Sequence, residues 1–196
     1  LALALKEKKI AGRVIGVDSN ELHQQRSLEL GLVDGILDLE TAIAQSDLIL
    51  LCVPVDIAEL ILLEILNKIE KQVVMDVGST KSSIAAIAKV NRAGGRFVAT
   101  HPMWGTEFSG PGAAVKGAFT DKAVVICDKA SSDADALEMV EDLYRKLGMH
   151  IIYMNSTNHD LHAAYISQIS HITSFALANT VLEKEKEEEA LFELAS

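Results

Sequence analysis

From residue 13 onward the chain alternates short apolar runs with longer stretches whose apolar residues return every three or four positions. Arg13-Val-Ile-Gly-Val-Asp18 is a short run closed by an acid. Asp47 leads into Leu48-Ile-Leu-Leu-Cys-Val53 and then Pro54, an uninterrupted apolar run of the kind a strand shows when both its faces are covered. Residues 73–77, 97–100, 123–127 and 150–154 repeat the theme. Helical patterns lie between them. One covers 57–69 and is entered through Asp56 and Glu59, a capping-box-like pair. Another follows Gly78-Ser79-Thr80-Lys81 and carries Ile84, Ile87 and Val90. A third sets Leu137, Val140, Leu143 and Leu147 on one face. Strands alternating with helices predict right-handed βαβ crossovers, hence an α/β fold built on a doubly wound, mostly parallel sheet.

Both ends depart from this rhythm. Residues 1–9 read as the second half of a helix, apolar and then Lys-Glu-Lys-Lys, with Gly12 as a stop and no start signal, so the chain is expected to begin inside an element. At Asn155-Ser156-Thr157-Asn158 the strand pattern ceases. Residues 157–182 read as one long helix with Ile166, Ile169, Ile172, Phe175 and Val181 among its apolar positions, running into a solvated charge run at 183–189. The expected organisation is an α/β domain over 1–154 and the start of an all-helical domain over 155–196 that continues past Ser196.

Composition narrows the partners. With 49% hydrophobic residues in 196, the chain can bury a sizeable core. Aromatics at 5% argue against a stacking platform for single-stranded nucleic acid, and a net charge of −10 disfavours phosphate backbones and anionic membranes. No apolar run reaches the roughly 18–20 residues that span a bilayer, and the opening Leu-Ala-Leu-Ala-Leu lacks the flanks of a signal peptide. Cys52 and Cys127 each sit inside a strand-like run and read as buried, reduced thiols. The expectation is a cytoplasmic protein with no nucleic-acid or membrane partner.

The chemistry-bearing residues cluster where strands end. In dinucleotide-binding folds an acid at the end of the second strand accepts hydrogen bonds from the adenosine ribose, which marks Asp18 and favours NAD over NADP; the Gly-rich fingerprint would then lie before residue 1. An exposed turn acid is the other reading of Asp18. Val53 and Pro54 close a buried strand at the edge where ligands bind in this class, although simple strand termination explains them equally. Gly78 and Ser79 open a helix after a strand, and either meet a ligand or serve as its cap. His101, with Pro102 fixing the backbone after it, is placed to move a proton near neutral pH, and the glycines that follow let the chain pass close to a ligand. Ser167 and His171 share a helix face at i, i+4 among apolar residues and need polar partners. His159-x-x-His162 has helical ligand spacing, but no strong metal motif is present and no metal is expected.

Taken together, Gly78-Ser79-Thr80-Lys81, His101-Pro-Met-Trp-Gly-Thr-Glu-Phe-Ser-Gly110, His159-Asp160 and Ser167-Gln-Ile-Ser-His171 resemble the prephenate dehydrogenase family, arogenate-using relatives included. The resemblance implies a Rossmann-type dinucleotide-binding domain over 1–154, lacking its first strand and Gly-rich loop, then a helical dimerisation and substrate domain. It implies NAD-dependent oxidative decarboxylation of prephenate to 4-hydroxyphenylpyruvate, for tyrosine synthesis, by a homodimer. On it, His101 and Ser79 are catalytic. His171, Ser79, Thr106, Glu107 and Ser167 meet the substrate, and Asp18, Val53, Pro54 and Gly78 meet the cofactor. Glu107, His159 and Asp160 form a polar network near the pocket mouth. The family's substrate-carboxylate arginine is expected beyond Ser196, since no arginine follows Arg145. Two other readings stay open: a Rossmann dehydrogenase of the 3-hydroxyacid type, disfavoured because 157–182 carries no lysine, and a non-catalytic dinucleotide-binding protein.

Overall fold

The computed structural model describes residues 1–106 and 108–185, of which 167, 168, 170, 171 and 181–185 are described by their backbone alone. One compact unit covers Leu1–His159 and a second begins at Asp160.

The first unit runs α1 (Ala2–Glu7), β1 (Ile15–Gly16), α2 (Glu21–Glu29), β2 (Gly35–Ile36), α3 (Leu39–Gln45), β3 (Leu48–Leu51), α4 (Val55–Lys68), β4 (Val73–Asp76), α5 (Ser82–Lys89), β5 (Phe97–Pro102), β6 (Ala123–Cys127), α6 (Ala134–Leu147) and β7 (His150–Met154). Strands β3-β4-β5-β6-β7 pair in that order, parallel throughout except between β5 and β6. Strands β1 and β2 form a separate parallel pair.

The period-two geometry of strands divides their side chains between two cores. Val73 and Met75 of β4, Val98 of β5, and Val124 and Ile126 of β6 pack with α1 and α6. Their neighbours Val74, Phe97, Ala99, Val125 and Cys127 pack with α4 and α5 on the opposite face. Helices therefore cover both faces, as the continuous apolar runs require. Leu62, Ile65 and Leu66 of α4 are fully buried, each contributing about 1.5–3 kcal/mol of apolar transfer. Helix α6 ends where Gly148 adopts φ 80°, and the Met149 and Gly148 N–H groups return to the carbonyls of Tyr144 and Arg145.

Several boundaries differ from the pattern-based expectation. Helix α4 starts at Val55 with Pro54 as its N-cap and no side-chain cap, so Asp56 sits in the first turn as a charge facing the helix dipole rather than as a capping group. Helix α5 starts at Ser82 after Lys81, and neither Ser79 nor Thr80 caps it. Strand β5 continues through His101 and Pro102, which pair with Val125 and Val124 of β6. Cys127 is buried; Cys52, one residue past the end of β3, has exposed surface, yet burial pushes its thiol pKa up. Helices α2 and α3 and strand β2 carry no clear periodicity; α2 buries none of its residues.

Beyond these, α7 (Ser156–Ala163), a π-helical turn (Ala164–Gln168) and α8 (Ile169–Glu185) follow in succession, so the expected single helix is interrupted. Among the described residues of the second unit, Ile166, Ile172, Phe175 and Leu177 are exposed. No described helix is long and apolar enough to cross a membrane.

Candidate active site

Strands β4 and β5 run parallel in register, Asp76 beside Ala99, so the segments after Asp76 and around His101 leave the sheet at one edge. The sequence-predicted residues Gly78, Ser79 and His101 are thereby neighbours in the fold. Val53 and Pro54 follow β3, the strand on the other side of β4, and reach the same edge.

His101 is half-buried, and its Nδ1 lies 2.9 Å from Nε2 of His159, with the rings edge to face at 74°. His159 is 3% exposed. His159, expected with Glu107 and Asp160 near the pocket mouth, is buried and meets the His101 ring. One ring nitrogen of the pair must donate and the other accept, so the contact couples the tautomers of the two rings.

A set of residues that pattern reading passed over lies beneath. Lys81 and Asp76 form an ion pair with 0% and 1% side-chain exposure. Lys81 also donates to the Thr100 carbonyl at 2.9 Å. Burial pushes the Asp76 carboxyl up, against the pull of the Lys81 charge and of the Gly78 and Thr100 N–H groups. The Thr100 hydroxyl lies 2.6 Å from the Tyr144 hydroxyl, whose pKa is raised by burial. The signal available in sequence was a charge inside each of two otherwise buried segments, Asp76 ending an apolar strand and Lys81 opening an apolar helix; such charges need each other.

The loop after His101 answers why it is glycine-rich. Gly110 has φ 76° and ψ −177°, a region essentially confined to glycine, and an added Cβ there would stand 3.4 Å from the His23 ring. The turn at 109–112 and α2 enclose a shallow cavity of about 440 Å³ lined by Leu22, His23, Arg26 and Gly110. His23 Nδ1 is 3.4 Å from the Asp18 carboxylate, which also accepts the Asn20 N–H at 2.8 Å. The loop thus reaches from His101 to the neighbourhood of Asp18. Trp104 stacks edge-on against Phe119 with centroids 5.6 Å apart and anchors the start of the loop. Thr106 is exposed, its hydroxyl exchanging hydrogen bonds with the Phe108 backbone. Glu107 lies outside the described residues, as do the side chains of Ser167 and His171. Among the described residues, no group of three or more His, Cys, Asp or Glu converges as metal ligands would.

Known proteins resemble this chain as follows. The family model for the nucleotide-binding domain of prephenate dehydrogenase matches residues 1–153. A cyclohexadienyl dehydrogenase from Zymomonas mobilis is 30% identical over 171 residues, 86% of this chain and 58% of that protein. A prephenate dehydrogenase from Bacillus subtilis is 28% identical over 183 residues, 91% of this chain and 49% of that protein. The chain thus spans about half the length of the curated relatives it matches. A solved prephenate dehydrogenase from A. aeolicus, in complex with hydroxyphenyl propionate and NAD+, matches with a TM-score of 0.81 at 26% identity, over 93% of this chain and 64% of that one.

Proposed function

The chain belongs to the prephenate dehydrogenase family, and from that premise we propose that the intact protein oxidises and decarboxylates prephenate, giving 4-hydroxyphenylpyruvate. The observation that carries this reading is the placement of Ser79 and His101 at one edge of two adjacent parallel strands, with His101 held by the buried His159. A carbinol that loses hydride needs an acceptor for its hydroxyl proton, and a neutral imidazole is one. For His101 to act so, it donates Nδ1–H to His159 Nε2 and keeps the basic lone pair on its own Nε2. Ser79 orients the hydroxyl. As the bond from ring carbon to carboxylate breaks, carbon dioxide leaves and its electron pair aromatises the ring. The proton held by His101 returns to the ring oxygen, so no proton is gained or lost overall.

NAD, when bound, takes the hydride. Asp18 suits its ribose: the side chain is 41% exposed and a carboxylate retains acceptor capacity beyond its contacts to Asn20 and His23. Val53, Pro54 and Gly78 would line the nicotinamide side. His171, Ser167, Thr106 and Glu107 complete the substrate site in this reading. The division into a dinucleotide-binding part over 1–154 and the start of a helical dimerisation part over 155–196 is supported by the family match ending at 153 and the compact unit ending at His159. The exposed apolar residues of the second unit support a homodimer.

The test is an absorbance assay of dinucleotide reduction by the intact protein, with prephenate and arogenate offered in turn and NAD+ compared with NADP+. The expected outcome is prephenate-dependent reduction with a clear preference for NAD+, because Asp18 would face a 2′-phosphate. No reduction with either acid would refute the function, and comparable kcat/KM for the two cofactors would refute the role of Asp18.

A further inference from the structure

The buried charges beneath the site have no part in the proton and hydride steps. Lys81 and Thr100 are 0% exposed and Asp76 1%, so none of them touches a ligand. Their connections nevertheless join the two segments that carry the chemistry. One Asp76 carboxylate oxygen accepts the Gly78 N–H at 3.0 Å and pairs with Lys81; the other accepts the Thr100 N–H at 3.2 Å. Lys81 donates onward to the Thr100 carbonyl at 2.9 Å, and the Thr100 hydroxyl donates to the Asp76 carbonyl at 2.5 Å. Gly78 precedes Ser79, and Thr100 precedes His101. The loop packs down on the carboxylate so closely that a Cβ at Gly78 would lie 3.1 Å from Asp76 Oδ2 and 3.2 Å from Val55 Cγ2.

A turn between a strand and a helix does not need this. A hydroxyl cap would close it, and burying two charges is costly where apolar side chains would serve as well. What the pair adds is a rigid, bidirectional link between the Ser79 loop and the His101 strand. We propose that Asp76 and Lys81 are positioning residues for the reaction: the buried pair fixes Ser79 against His101 so that both meet the same substrate hydroxyl. This rests on the function proposed above.

The experiment is the double variant Asp76→Asn/Lys81→Met in the intact protein, assayed with prephenate and NAD+. Asparagine keeps an acceptor for one of the two neighbouring N–H groups, and removing both charges leaves neither charge without its partner. Such replacements are often neutral in stability, so Tm should stay within about 4 °C of wild type. A misplacement of about 1 Å costs on the order of 10²-fold, so kcat should fall by roughly that factor, with KM for both ligands changed little. The acid limb of the kcat profile should persist, since the base remains. Wild-type kcat at near-wild-type Tm would overturn the proposal. Should the double variant not fold, Thr100→Val, which cuts the hydroxyl link to the Asp76 carbonyl at a wholly buried position without removing a charge, must lower kcat while leaving KM for prephenate and NAD+ little changed; unchanged kcat there overturns the proposal equally. An inactive wild-type protein would overturn the function itself and this inference with it.

Discussion

On the amino side of His101, Thr100 is wholly buried, and its N–H, carbonyl and hydroxyl meet Asp76, Lys81 and Tyr144. On the carboxyl side, Met103, Gly105, Thr106 and Phe108 through Gly110 lie exposed, and the loop is held at a few points: Trp104 on Phe119 and Gly110 over His23. One flank is fixed by buried charge, the other by aromatic contact and a glycine-specific backbone. The difference assigns them different work. On the function proposed above, the buried flank would set the geometry of the reacting groups, which would show in kcat, and the exposed flank would meet the ligands, which would show in KM.

The sharpest way to break this contrast is at the residue between the flanks. His101→Asn keeps a polar group and loses the base, so kcat should fall by roughly 10²–10⁴-fold, with a much smaller change in KM for prephenate. Near-normal kcat would put the base elsewhere.

Next in size is the buried flank alone. Lys81→Met leaves the Asp76 charge stranded and should cost about 3–5 kcal/mol of stability, read from urea unfolding. A loss below about 1 kcal/mol would place this pair among the weak exposed ion pairs and remove the contrast.

The exposed flank should answer differently. Alanine at Gly110 must hold a backbone conformation costing about 1–3 kcal/mol, so KM should rise by roughly 10-fold while kcat stays within about 3-fold. A fall in kcat with KM unchanged would show that both flanks do the same work.

The smallest effect lies away from the site. Arg96 donates to both oxygens of Asp135 at 2.8 Å, which holds that carboxyl below its usual range. A depressed carboxyl stabilises above the unfolded value of about 3.9, and that contribution is lost as pH falls through the folded value. Asp135→Asn should therefore lower the urea midpoint at neutral pH, and its gap from wild type should close as the solution is acidified. A gap independent of pH would mean that the ion pair is not its source.

What pattern reading reaches in this molecule follows from what periodicity records. Strands β4, β5 and β6 are largely buried on both faces, so their apolar runs were legible to within a few residues, and His101 and Ser79 fell at strand ends for the same reason; β7, at the edge of the sheet, leaves Ile152 and Tyr153 exposed and was legible only as an apolar run. Helix α2 buries nothing, so it leaves no apolar period. Its signals were the caps, Asn20 accepting from the Leu22 N–H at 2.9 Å and Gly31 at φ 64° beyond its end. The His101–His159 contact joins residues 58 positions apart, and no local spacing reports such a pairing. Lys81 was visible as part of a helix-opening motif, but its burial depends on Asp76 and Thr100 meeting it from neighbouring strands.

The central claim is that His101 takes the hydroxyl proton as hydride leaves. The most direct test is kcat with prephenate and NAD+ against pH for wild type and His101→Asn in the intact protein. Wild-type kcat should decline toward acid as the imidazole is protonated, and the variant, slower throughout, should show no such limb. The same acid limb in the variant would contradict the claim.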